Sequence, residues 1–124
     1  MAIHYVPPIS VTSKRLILDN EKLRRANAKV PTATAFKYGD LLTLSDANVL
    51  AHATDEKTWD VICGQDVSAA EATIKAADGI EIPVYYGGVF SIEAVSVNGT
   101  LLTPAQYDAA RAQATKNKIE LSKV

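Results

Sequence analysis

From Ala35 onward the apolar residues come in short runs, each closed by a turn-forming residue, and this punctuation is the tightest constraint on the fold. In "GDLLTLSDANVLAHA", Leu41–Leu44 and Val49–Ala53 flank Ser45-Asp46-Ala47-Asn48, the pattern of two strands joined by a tight turn. "TWDVICG" reads as a further strand that stops at Gly64. In "IEIPVYYGGVFSIEAVSVNG", Ile80, Ile82, Val84 and Tyr86 alternate with Glu81, Pro83 and Tyr85, the period of a half-buried strand. Pro83 lacks an N–H and so points to an edge or a bulge. Gly87-Gly88 suggests a sharp turn, after which Phe90, Ile92 and Val95 restart a strand that closes at Asn98-Gly99. "SAAEATIKAADG" is polar and alanine-rich and reads as a loop or one helical turn before the turn signal Asp78-Gly79.

The clearest helix is "TPAQYDAARAQAT". Thr103 caps its first turn, Pro104 suits its first position, and Gln106 completes a capping box with Thr103. "KIELSKV" follows as a last strand, with Ile119 and Leu121 on one face and Glu120 and Ser122 on the other. The expected fold class is therefore mainly β with one short late helix, a small barrel or open sheet. The 124 residues allow one domain with a respectable core, since roughly two-thirds of the unfolded surface is buried at about this size. No apolar run approaches the roughly 20 residues that a transmembrane helix requires, and Met1–Val11 lacks the basic and long apolar regions of a signal peptide.

The front of the chain differs. "IHYVPPISV" is apolar at Ile3, Tyr5, Val6, Ile9 and Val11 and is stiffened by Pro7 and Pro8. Such a ribbon loses less entropy on docking than a floppy one, and its backbone can lie along a neighbour's sheet edge. A merely unstructured tail is the plain alternative, but it would ordinarily be poorer in apolar residues. Residues 14–30 fit a helix through Leu16, Leu23 and Ala26, or a short strand at "RLIL". The expected division is an arm over 1–31 and a β-rich domain over 32–124.

Charge is split along the sequence. Residues 1–38 hold seven Lys/Arg against two Asp/Glu, a net +5, and residues 39–124 hold six against twelve, a net −6. The basic front suits an acidic surface on a neighbour or another partner, with Lys14, Arg15, Arg24 and Arg25 as candidate supporting contacts. Nucleic acid is the competing partner for 14–29, but no aromatic residue lies between Tyr5 and Phe36, and Asp19 and Glu21 dilute the cluster.

Catalytic patterns are lacking. The lone Cys63 follows Val61-Ile62 and reads as a buried thiol, and His4 and His52 lie far apart in the sequence. Asp55, Glu56 and Asp60 flank Trp59 in what reads as a solvated loop. No metal-ligand spacing, phosphate loop or cofactor motif occurs, so neither a metal nor a cofactor is expected.

Taken together, "ATAFKYGDLLTLSDANVLAHATDEKTWDVICGQDV", "IEIPVYYGGVFSIEAV" and "LTPAQYDAARAQATKNKIELSKV" resemble the lambda-type head decoration proteins of tailed bacteriophages. The resemblance covers roughly Thr32 to Val124, by pattern rather than by one motif. It implies a β-tulip fold and a homotrimer at the local threefold positions of an expanded capsid. It also implies a non-enzymatic role in clamping the shell against packaged DNA. The partners it implies are the major capsid protein and the protein itself, and the location is the outer surface of the virion after synthesis in the host cytoplasm. Neither a membrane nor direct nucleic-acid binding is expected. It implies too that the N-terminal arm (here Ile3, Tyr5, Val6, Pro7, Pro8, Ile9 and Val11) orders on the capsid beside capsid-protein segments. Residues 14–30 depart from the family pattern, being richer in charge.

Overall fold

The structure, a computed structural model, describes residues 15–123. It is mainly β: an antiparallel sheet with one parallel pair and a short late helix. The strands are β1 (Ile17–Lys29), β2 (Leu41–Leu44), β3 (Leu50–His52), β4 (Val61–Cys63), β5 (Glu81–Ser91), β6 (Ser96–Val97), β7 (Thr100–Leu101) and β8 (Ile119–Ser122). Helix α1 spans Ala69–Asp78 and α2 spans Tyr107–Lys116, with short 3-10 turns at Ile92–Ala94 and Pro104–Gln106.

Strand β5 is the hub. Its register with β1 runs from Glu81 to Phe90, while its other edge pairs first with β4 at Val84 and Tyr85 and then, in parallel, with β8 at Gly88–Ser91. The path runs β1-β5-β4-β2-β3. Its two ends then meet, because Lys29 bridges to Val49 and donates its N–H to the Asn48 carbonyl at 2.9 Å. The sheet is thus rolled, which leaves fewer unpaired backbone groups at its edges.

Strict alternation divides the apolar residues between two cores. Leu41, Ile62 and Tyr85 join Trp59, Phe90 and the α2 residues Ala110 and Ala114 on one side. Their sequence neighbours Leu42, Val61, Cys63 and Val84 join Phe36, Ile82 and Ala72 of α1 on the other. Each large side chain so buried contributes about 1.5–3 kcal/mol. Asn98 and Gly99, both at positive φ, turn β6 into β7 as their sequence suggests. The Thr103–Gln106 capping box forms, and Ile119 and Leu121 are buried while Glu120 is exposed.

Four expectations need correction. Residues 17–29 are one long strand, because the β5 edge needs backbone partners and β1 supplies them. Ala28 and the following Val30 join the core cluster of Phe36, Leu42 and Ile82, so this strand packs with the rest of the sheet. The segment read as a loop or one turn is the ten-residue helix α1, with a Ser68–Glu71 capping box at its start and left-handed Gly79 at its end.

The third and fourth corrections concern β5. Gly87-Gly88 is no turn, since β5 passes straight through it. A Cβ on Gly87 would stand 2.9 Å from Arg24 Cγ, and Gly88 has φ +130° with Leu23 Cδ1 3.2 Å from where its Cβ would be. These glycines therefore admit β1 at close range. Pro83 lies in the central strand rather than at an edge. Its carbonyl accepts the Gly64 N–H at 3.0 Å, and having no N–H to return, it ends the β4 ladder there.

Candidate functional site

The irregular half of β1 builds the most distinctive surface. Between Asp19, opposite Val89, and Arg24, opposite Gly87, β1 spends five residues where β5 spends two. The extra length is a bulge, which re-aims side chains. Lys22 and Arg24 are carried to the mouth of a groove of about 750 Å³. Across it stand Arg111 of α2 and Lys118, the residue before β8. Gly87-Gly88 and the exposed Tyr86 also line the groove, and Glu120 is its carboxylate. All four cations are exposed, and none has an ion-pair partner among the described residues. The geometry suits an anionic ligand.

Of the expected basic contacts, Arg24 lies in this groove, while Arg15 and Arg25 are exposed but do not line it. Lys14 lies outside the described residues, as do Ile3, Tyr5, Val6, Pro7, Pro8, Ile9 and Val11. The described chain enters the body at Leu16, which is buried and whose carbonyl accepts the Ser91 N–H at 2.8 Å.

A second polar cluster is internal. Asp40, fully buried, accepts from Ser96 Oγ at 2.5 Å, the Gly99 N–H at 3.1 Å and the Lys37 N–H at 2.9 Å. It ties the entry to β2 to the β6–β7 hairpin, and these donors offset the cost of burying a carboxylate. His52 Nε2 lies 2.7 Å from the Ala35 carbonyl, which can only accept, so that nitrogen carries a proton. Nδ1 faces Asp40 at 3.8 Å. The ring packs on Phe36 at a centroid distance of 4.7 Å, and His52 is half-buried.

Cys63 is wholly buried and donates to the Gln65 carbonyl at 3.0 Å; burial pushes its thiol up to about 11. That is the opposite of an activated nucleophile, and no hydrogen bond joins it to His52 among the described residues. The carboxylates near Trp59 are occupied locally. Asp55 accepts from the Lys57 N–H, Glu56 from Gln106 Nε2, and Asp60 from the Leu44 N–H. Trp59 is anchored through its carbonyl by Gln113 and Asn117. No cluster of three or more His, Cys, Asp or Glu residues suited to a metal ion occurs among the described residues.

Comparison with known protein families gives no match, and comparison with curated proteins gives none. Sequence reasoning missed Lys22, Arg111 and Lys118 as one site. The signal that could have found them is the glycine pair, which marks where a distant segment crosses β5.

Proposed function

We propose that the chain is a structural binding protein, a phage head decoration protein that docks through its N-terminal ribbon on the major capsid protein. It would act as a homotrimer at threefold positions on the outside of the virion. The observation that carries this reading is the anchored exit of the ribbon. A proline-stiffened apolar segment, Ile3–Val11, precedes a point, Leu16, that is fixed in the core of a mainly β body. A segment tethered at a rigid point searches a small volume, so docking costs less ordering entropy.

Cosedimentation tests the proposal. The full chain is expected to pellet with expanded capsids of its phage and not with unexpanded ones. A variant lacking residues 1–13 is expected to keep its circular dichroism spectrum and to stay in the supernatant. Equal pelleting of both forms contradicts the proposal.

A further inference from the structure

We infer that the groove between the β1 bulge and β8 is a second protein-binding site, one that takes an acidic, extended peptide segment. The inference assumes that the chain binds proteins, but it does not require that the partner be a capsid.

Charge complementarity identifies the chemistry. Lys22, Arg24, Arg111 and Lys118 face the groove with only Glu120 of opposite sign, and these cations are free to pair. Four like charges held around one concavity repel one another, and an anionic segment relieves that repulsion. The groove also runs along backbone: Lys118, Ile119, Glu120 and Leu121 all line it in sequence. Consecutive strand residues point to opposite faces, so the main chain of β8 borders the groove. The three strand residues Ile119, Glu120 and Leu121, at about 3.3 Å each, give a track of about 10 Å, the length of a short extended segment. Among the described residues β8 pairs only with β5.

Two alternative occupants fit less well. Single-stranded nucleic acid uses several stacking aromatics, whereas Tyr86 stands alone here and Glu120 would repel phosphate; a peptide can instead give Glu120 an N–H donor. The protein's own first fourteen residues contain no Asp or Glu and so do not complement the charge.

The test uses the full chain and fluorescence anisotropy with three labelled probes at low salt. These are an octapeptide of alternating Glu and Val, its Lys-Val counterpart, and an eight-nucleotide oligothymidylate. Saturable binding of the Glu-Val peptide alone, weakened by added salt, is expected. Arg24→Glu with Arg111→Glu is expected to weaken it by at least about tenfold, roughly the loss of one strong charge contact. Lys57→Glu with Lys75→Glu makes the same change in net charge outside the groove and is expected to leave binding intact. Thermal melting of each variant checks folding, and Arg24→Ala gives a milder second reading should the double reversal unfold.

The inference is overturned by absence of Glu-Val binding, by tighter binding of oligothymidylate, or by equal loss in both double variants. Self-association abolished by Arg24→Glu/Arg111→Glu, without peptide binding, assigns the groove to a second copy and overturns it as well. Peptide binding is read without any capsid, so its failure is separate from a failure of the decoration proposal.

Discussion

The two halves of β1 do different work in the same strand. From Arg25 to Lys29 each residue faces one partner on β5, and Ala28 points into a core with no exposed surface. Between Ile17 and Arg25 the register shifts three times, and the exposed side chains there include Asp19, Glu21, Lys22 and Arg24. Regular pairing fixes each residue's position opposite β5, turning Ala28 into the core while Arg25, Ala26, Asn27 and Lys29 stay exposed. A bulged stretch keeps the strand in the sheet while freeing its side chains for solvent or a partner. The glycine pair in β5 is what lets the loose half lie so close.

This contrast can be broken most severely at Ala28. Ala28→Glu places an unpaired charge in the regular half's core and is expected to cost about 3–5 kcal/mol or more, read as a large fall in the urea midpoint. Retained stability would mean that this half is not packed as described. The core it joins also holds Cys63, which gives a pH test. The folded chain keeps that thiol protonated up to about 11, whereas a free one ionises near 9.0. Stability is therefore full below the lower value and falls as pH rises from one to the other, by about 2–3 kcal/mol. Cys63→Ala is expected to flatten this part of the profile, and the native thiol to resist alkylation at neutral pH until the protein unfolds.

At the junction of the two halves, Gly88→Ala is expected to cost about 2 kcal/mol, since φ +130° is strained for any residue with a Cβ. In the loose half, Arg24→Glu is expected to change the unfolding free energy by no more than about 0.5 kcal/mol. A loss comparable to that of Ala28→Glu would erase the distinction between the halves.

How much of this was legible in the sequence follows from the range of the interactions. β2, β3, β4, the Asn98-Gly99 turn, the capped α2 and the alternation of β8 are all set by neighbours in sequence, and they stand where the pattern put them. Helix α1 was obscured because only Ala72 of its ten residues is buried, which leaves almost no apolar period to read; its Ser68–Glu71 box and Gly79 stop were the available signs. Within β1 only Ala28 is buried, so the strand carries little alternation, and its partner β5 lies far along the chain. The glycine pair looked like a turn because its true reason, close contact with Leu23 and Arg24, is tertiary. The groove shares that origin: Lys22 and Arg24 meet Arg111 and Lys118 only because β1 and β8 flank the same strand.

In the proposed role the front ribbon binds another protein while the β body carries it. Electron cryomicroscopy of expanded capsids mixed with the full chain tests it most directly. Three copies are expected around each local threefold position, with Ile3–Val11 extended against a capsid-protein segment. A reconstruction in which that ribbon lies on its own body and touches no other chain would contradict it.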